Sequence, residues 1–468
     1  MKKPNIVFFF TDDQRFDTIA ALGNENIKTP NIDRLVERGT AFTHAHIPCG
    51  TSGAVCMPSR AMLHTGRSLF HIEKEGQSIP EEHTTMGELL REKGYDTFGT
   101  GKWHNGKASF NRSFAAGAEI MFGGMADHWN VPVYHYDPTG AYDKTLPICR
   151  NPQDKKFVAQ RQADHINNGV HSSEMVCQAG IDYIEKHNGE NPFFTYISFL
   201  APHDPRIMPD EFHAMYDPAT TKLPPNFCGG HPFDNGATRI RDEELAAFPR
   251  NPKETKEHLA EYYAMITHLD YQLGRVMQSL EDKGILEETI IVFAGDNGLA
   301  LGQHGLFGKQ SCYEHSIRVP LIFAGPGVPK GQQRDSYAYL FDIYPTLCEL
   351  LGFEKPTSVE GKSLKPILDD SKTVLRESLY FAYCQFQRAV KDERFKLIEY
   401  RVPDCEPQTQ LFDVVNDPWE LSNLANQADS EANIKRMRDE LFRLRDEWDD
   451  REHTMGEEFW GRYEEAST

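Results

Sequence analysis

Short apolar runs without polar alternation recur through the first three quarters of the chain, and each ends on ionisable or amide residues. Asn5 to Phe10 is the clearest case. An unbroken apolar run of strand length is expected where both faces of a strand are covered, as in a sheet sandwiched between helices. It runs into Asp12 and Asp13. Tyr95 to Thr100 ends on Gly101-Lys102-Trp103-His104-Asn105-Gly106, and Phe193 to Leu200 on Pro202-His203-Asp204-Pro205. Thr289 to Ala294 ends on Gly295-Asp296-Asn297-Gly298, with Gly302-Gln303-His304-Gly305 and Gly308-Lys309 close behind. Val319 to Phe323 reads as a further strand. Between these runs lie helix signals. Thr29 and Pro30 suit an N-cap and first turn, with Gly39 past the end. Thr85 and Glu88 are spaced as a capping box before Gly94. Leu259, Tyr263, Ile266, Leu273, Met277 and Leu280 line one face of a long helix from Glu254 to Lys283, and Phe341 to Leu351 reads as another. Alternation of this kind predicts an α/β fold with a large, mainly parallel sheet flanked by helices.

After about residue 370 the pattern changes. Leu379 to Tyr383 and Phe395 to Tyr400 read as antiparallel strands, followed by a charged amphipathic helix from Asn433 to Asp449. The expected division is a catalytic α/β domain over 1–370 and a smaller α+β subdomain with an antiparallel sheet over 371–468. Residues 105–170 are rich in loop signals, aromatics and histidines. Within them, Phe122 to Trp129 and Arg161 to His171 carry side chains suited to sugar hydroxyls and rings, and equally to ordinary loop structure.

Composition narrows the function. The chain of 468 residues has a formal charge of −20, so general nucleic-acid binding is not expected. No apolar run approaches the roughly 18 residues of a membrane span. The run after Met1-Lys2-Lys3-Pro4 is too short for a signal peptide. Cytoplasm is the default location, with the periplasm or secretion following if an export signal has been removed. Nine cysteines form an odd set without a regular framework, unlike a disulfide-stapled fold.

In open parallel sheets, ligands collect at the carboxyl ends of strands, where these polar residues fall. Asp12, Asp13, Asp296 and Asn297 make an all-oxygen set, suited to Ca²⁺ or Mg²⁺ rather than zinc. Lys102, Lys309, His104 and His203 beside such a cation suit an anionic substrate whose leaving oxygen needs a proton. Taken singly, each is as well explained by a cap or turn; their joint placement at corresponding strand ends carries the reading. Pro58 and Ser59 open a helix and put Cys56 beside its positive end, with Arg60 near. That setting favours a thiolate or developing oxyanion at position 56, although a small buried cysteine before a helix is the usual fate of such a residue.

The stretch Cys56-Met57-Pro58-Ser59-Arg60 followed by Thr65-Gly66-Arg67 resembles the maturation signature of type I, formylglycine-dependent sulfatases of the alkaline phosphatase superfamily. Met57 and His64 depart from the residues more usual there. The resemblance spans most of the chain, through Asp12-Asp13, the block at 101–106, Pro202-His203, Asp296-Asn297, Gly308-Lys309, Leu411-Phe412-Asp413, Asp417-Pro418 and Asn423-Leu424-Ala425. It implies an alkaline-phosphatase-like fold and a sulfatase acting on a sulfated small molecule or glycan. It also implies a formylglycine-generating maturation enzyme that converts Cys56. Asp12, Asp13, Asp296, Asn297 and modified Cys56 would bind Ca²⁺, or Mg²⁺ in its place. The hydrated formylglycine would be the nucleophile, held by Arg60, with Lys102 and Lys309 on the sulfate oxygens. His203 would protonate the departing alcohol, and His104 would take the diol proton that releases sulfate. His304 matches a recurring Gly-x-His-Gly piece, for which a loop-structuring role serves at least as well as a site role, so it stands outside the site. A phosphonate monoester or phosphodiester hydrolase of the same superfamily shares the cysteine signature but usually lacks the Lys102/His104 pair. A zinc phosphatase would need more histidine ligands. A non-catalytic sulfated-glycan binding protein should have lost one or more of Cys56, Lys102, His104 and His203, and all are present.

Overall fold

The structure is a computed structural model that describes residues 3–149, 153 and 158–466; Met1 and Lys2 lie outside the described residues. Its main sheet has eight strands in the order Gln332–Arg334, Gly39–Phe42, Leu321–Ala324, Thr289–Gly295, Asn5–Thr11, Phe193–Ser198, Asp96–Lys102, Ala116–Met121. All neighbours pair in parallel except at Leu321–Ala324, which is antiparallel to both of its partners. Both faces are covered, as the unbroken apolar runs require. Ile6, Phe8 and Phe10 pack into one cluster, and Val7 and Phe9 into another on the opposite face. Each such buried Phe contributes about 1.5–3 kcal/mol relative to an exposed one. The long helix, Pro252–Asp282, covers the Val7 face together with Ser172–Lys186 and Pro30–Arg38. The Thr85 capping box forms as the spacing predicts.

Two parts of the architecture differ from the sequence reading. Residues 105–170 are not all loop: Lys107–Ser113 is a helix, and Ala116–Met121 completes the edge of the main sheet. The Ala-Gly-Ala-Glu composition of that strand gives little β signal, and its hydrogen bonds to Asp96–Lys102 supply the stability instead. In the C-terminal region, Ser378–Tyr383 and Phe395–Tyr400 are not neighbours. Gln387–Asp392 lies between them, and Gln408–Asp413 follows. Gln387–Asp392 was hidden because Arg388 and Lys391 are buried as ion pairs, with Asp450 and Glu314, rather than replaced by apolar residues.

The smaller sheet is tied to the N-terminal region. Cys49–Gly50 adds to Ser378–Tyr383 as a parallel edge. Buried Glu314 receives Lys391 at 2.7 Å and Lys396 at 3.2 Å, and Lys396 also reaches Glu420 at 2.8 Å.

One backbone irregularity aims a candidate site residue. Register between Asp96–Lys102 and Ala116–Met121 shifts between Thr100 and Gly101, and Gly101 has φ +83°. A Cβ there would lie 1.8 Å from the Ser198 carbonyl oxygen. The extra residue of this bulge is Glu119 on the edge strand, between the partners Ala118 and Ile120, and the left-handed Gly101 opposite it directly precedes Lys102. Gly101→Ala is therefore expected to lower the urea midpoint and kcat together, because the clash displaces Lys102. Gly94, at φ +86° with nothing within 4 Å of its Cβ position, is the control. Gly94→Ala should cost only about 1 kcal/mol and leave kcat unchanged. Equal kcat values for the two variants would refute the positioning role of Gly101.

Candidate active site

The carboxyl ends of four adjacent strands meet around one guanidinium. Arg60 lies on the helix Cys56–Thr65, fully buried beneath the strand ends. Its Nη2 donates to Asp12 Oδ2 at 2.9 Å and its Nε to Asp296 Oδ2 at 2.9 Å. Nη1 donates to the Lys102 carbonyl at 3.0 Å and to Ser198 Oγ at 2.7 Å. The guanidinium plane also sits 4.9 Å from the centre of the Phe10 ring. Only a planar fork of donors can satisfy so many acceptors from separate strands at once. Ser59 adds a second tie, its hydroxyl donating to the Asp296 carbonyl at 2.6 Å.

Cys56 is the first residue of this helix and is buried. Its Sγ lies 3.6 Å from Lys102 Nζ and 3.5 Å from His104 Nδ1. Lys102 Nζ is 2.5 Å from Asp12 Oδ2, and Lys309 Nζ is 2.6 Å from Asp13 Oδ1. Asn297 Nδ2 donates to Asp13 Oδ1 at 2.7 Å, and the Asp13 amide donates to Asp296 Oδ1 at 3.0 Å. His203 Nε2 stands 3.8 Å from Asp13 Oδ2. All ten sequence-predicted site residues thus gather in one cluster, nine of them buried and His104 half-buried. Asp13 and His104 hold left-handed backbone conformations, at φ 62° and 74°. Asp and His tolerate this region better than most residues with a side chain.

Electrostatics of the cluster show what it lacks. Burial alone would raise the Asp12 carboxyl, but Lys102 and Arg60 hold it far below the usual carboxylate range. Asp296, facing burial and the charge of Asp12, is pushed up to about 7. Asp12 Oδ1 and Asn297 Oδ1 are buried without a hydrogen-bond partner among the described residues. Unpartnered buried oxygens beside mutually repelling carboxylates are what a hard divalent cation would satisfy. Asp12, Asp13, Asp296 and Asn297 therefore fit an oxygen-ligated cation, and Asp12, Cys56 and Asp296 offer ligand atoms within 4.8 Å of one another. Burial also raises the Cys56 thiol despite Lys102 and Lys309, so an unmodified thiol here is a weak nucleophile at neutral pH. Lys102 and Lys309 keep their charge against burial because Asp12 and Asp13 respectively hold them above the usual lysine value. Burial and the neighbouring Lys102 and Arg60 hold His104 well below the imidazole range, so it is a neutral proton acceptor.

Several supporting residues carried no assigned role in the sequence reading. His203 Nδ1 donates to the Asp204 carbonyl at 2.9 Å, with Asp204 Oδ1 at 3.3 Å, and Arg241 pairs with that carboxylate. This leaves His203 Nε2 facing the cluster. His128 donates from Nε2 to the His203 carbonyl at 3.0 Å. Asp204 was visible inside Pro202-His203-Asp204-Pro205; Arg241, from an irregular stretch, gave no signal. His304 lies in its loop as expected, stacked on Tyr313 at 4.0 Å and bonded to Asn226 at 3.0 Å. A cavity of about 1120 Å³ flanks the cluster, lined by Lys107, Phe122, Gly123, Asp127, Asn130 and Arg161 among others. A Cβ on the next residue, Gly124, would sit 3.2 Å from the His104 ring.

Comparison with known proteins agrees with this layout. An arylsulfatase of Clostridium perfringens is 29% identical over 94% of this chain and 94% of its own. A protein solved in complex with its substrate D-glucosamine-2-N,6-O-disulfate superposes with a TM-score of 0.73 at 21% identity, covering 96% of this chain and 99% of that one. The phosphonate monoester hydrolase of Agrobacterium radiobacter gives 0.73 at 22%, covering 95% and 96%. The fold is thus the alkaline-phosphatase-like one expected, and at these identities the two structures speak for the fold alone. The family model described as N-sulphoglucosamine sulphohydrolase, C-terminal, matches residues 302–447, and the sulfatase model matches residues 4–353. With most of its length matched, the chain belongs to the sulfatase family, and it is a sulfuric ester hydrolase.

Proposed function

We propose that the protein hydrolyses a carbohydrate sulfate ester at position 56, which carries formylglycine after maturation of Cys56 by a formylglycine-generating enzyme. The observation that carries this reading is the burial of Cys56 at a helix N-terminus between Lys102 and His104, against Asp12 and its oxygen-rich neighbours. Cys56 Sγ stands where the oxygens of the hydrated aldehyde would lie. The hydrated formylglycine would supply an oxygen nucleophile, and a divalent cation held by Asp12, Asp13, Asp296 and Asn297 would favour its ionised form. Ca²⁺ fits the oxygen set, and Mg²⁺ is the alternative.

The remaining chemistry belongs to side chains in place. Lys102 and Lys309 offset charge on the sulfate oxygens, usually the largest catalytic contribution at such centres. Arg60, expected from the resemblance to hold the diol, instead directs its donors to Asp12, Asp296, the Lys102 carbonyl and Ser198, so its role here is to fix the two carboxylates. His203, with Nδ1–H committed to the Asp204 carbonyl, acts as an imidazolium that gives its Nε2 proton to the departing alcohol oxygen and is left as the neutral Nδ1–H ring. His104 Nδ1 faces position 56 and, being neutral, accepts a proton there. The flanking cavity, with Lys107, Arg161, Asp127, Asn130 and Phe122, suits a sugar ring bearing hydroxyl and anionic groups. A sequence relative, the N-acetylglucosamine-6-O-sulfatase of Bacteroides thetaiotaomicron, is 24% identical over 92% of this chain and 84% of its own, which supports the carbohydrate class. A phosphonate ester is the second reading, favoured by the fold shared with a phosphonate monoester hydrolase. The Lys102 and His104 pair beside Cys56 weighs toward sulfate.

A panel of sulfated mono- and disaccharides assayed beside a phosphonate monoester tests the substrate class. Turnover of at least one sulfated sugar should exceed that of the phosphonate; preference for the phosphonate would overturn the reading. Chelation should abolish activity and Ca²⁺ restore it, while Asp12→Ala and Asp296→Ala should bind less metal by elemental analysis. Unchanged metal content in both variants would contradict the oxygen site.

Leaving-group chemistry separates the histidines. His203→Ala should slow sugar sulfates by about 10²–10⁴-fold and an activated aryl sulfate far less, because a good leaving group barely needs the proton. His104→Ala should slow both substrates alike. Equal losses on both substrates for the His203 variant would remove its assignment as the acid.

A further inference from the structure

Away from the cluster around Cys56, the described residues hold one more group of side chains with metal-ligand chemistry, on the far edge of the main sheet. Glu119, His135 and His165 offer ligand atoms that all lie within 4.8 Å of one another. Three separate passes of the chain bring them together. Glu119 belongs to the edge strand Ala116–Met121, whose Ile120 bridges to Tyr134. Pro132–Val133 pairs antiparallel with His165–Ile166, with His165 opposite Val133. His135 therefore follows the bridged Tyr134, and its ring stacks on His165 at 3.9 Å between centroids.

The two ring nitrogens of His165 have distinct tasks. Nδ1 is hydrogen-bonded to the Asp164 carboxylate, and Nε2 lies 2.9 Å from Glu119 Oε2. A carboxylate on one imidazole nitrogen, fixing the ring so that the other faces a shared point, is how metal-binding histidines are commonly oriented. Asp164 is itself held, accepting from the His135 amide at 3.1 Å. Asn167 Nδ2 donates to Glu119 Oε2 at 2.7 Å and steadies that carboxylate. Glu119, at φ +51°, is the extra residue of the bulge opposite Thr100 and Gly101. Two imidazoles and one carboxylate suit a borderline transition metal, unlike the all-oxygen set around Asp12.

We propose that Glu119, His135 and His165 form a second metal site, for Zn²⁺ or a similar divalent transition metal, oriented by Asp164 and Asn167. Glu119 and His165 are half-buried and His135 is exposed, which leaves room for water in the fourth position. The metal would clasp the 132–135 and 165–166 segments to the edge strand. Pro132, Tyr134 and Ile166 line the cavity beside the catalytic cluster, so the clasp sets the shape of that wall. This inference does not depend on the identity of the substrate.

The test is Zn²⁺ titration by calorimetry of the full chain held in excess Ca²⁺, which keeps the oxygen site occupied. One equivalent of Zn²⁺ is expected, lost in His165→Ala and in His135→Ala, and weakened about 10–100-fold in Asp164→Asn. Far-ultraviolet circular dichroism and thermal unfolding without Zn²⁺ verify that each variant is folded; a double variant, His135→Gln with His165→Gln, replaces any that is not. Absence of binding to the wild-type chain, or binding unchanged by the histidine substitutions, would overturn the proposal and leave the group as an ion-paired clasp.

Discussion

Everything at this site depends on the buried fork of Arg60. Four parallel strands end at the same level, and nothing in a sheet ladder obliges their loops to converge. The guanidinium supplies that constraint by bonding Asp12, Asp296, the Lys102 carbonyl and Ser198 at once. Because Arg60 lies one helical turn beyond Cys56, fixing it also fixes the helix N-terminus on which position 56 stands. A buried ion pair of this kind adds little net stability over apolar packing, since desolvation offsets most of the attraction. Its value is positional: the same bonds that hold the Asp12 and Asp296 carboxylates also hold the helix of Cys56 against them.

The charge balance follows from that arrangement. Arg60, Lys102 and Lys309 face Asp12, Asp13 and Asp296 in a space closed to solvent. Asp12 takes most of the positive field, and Asp296 is left with a carboxyl pushed up to about 7. A divalent cation would remove that frustration by ionising Asp296 and meeting the unpartnered oxygens of Asp12 and Asn297. A site so prepared can then accept a sulfate group without leaving like charges unopposed.

Much of this was legible in the sequence, for a physical reason. Strands covered on both faces must be apolar throughout, so Asn5–Thr11 and Thr289–Gly295 stand out, and the first polar residues after them mark the strand ends where ligands bind. Legibility failed where burial was achieved without apolar residues. Gln387–Asp392 hides because Arg388 and Lys391 are neutralised by Asp450 and Glu314. Ala116–Met121 hides because the neighbouring strand, not its own side chains, sustains it. Within the site, side chains attached to motifs were found; Arg241, which acts through Asp204, comes from a segment without local pattern, and His128 lies in the stretch Phe122 to Trp129 with nothing there to tie it to the His203 carbonyl. Long-range contacts of that kind leave no trace in spacing.

The central claim is that position 56 acts through an oxygen nucleophile made from the cysteine. Burial raises the Cys56 thiol rather than activating it, which supports an oxygen nucleophile over an unmodified thiol in this proposal. Peptide mass spectrometry across residue 56 of preparations that differ in specific activity tests this directly. The fraction of peptide carrying the thiol-to-aldehyde mass change should rise in proportion to sulfatase activity. Full activity in a preparation whose peptide at residue 56 is entirely unmodified cysteine would contradict the account.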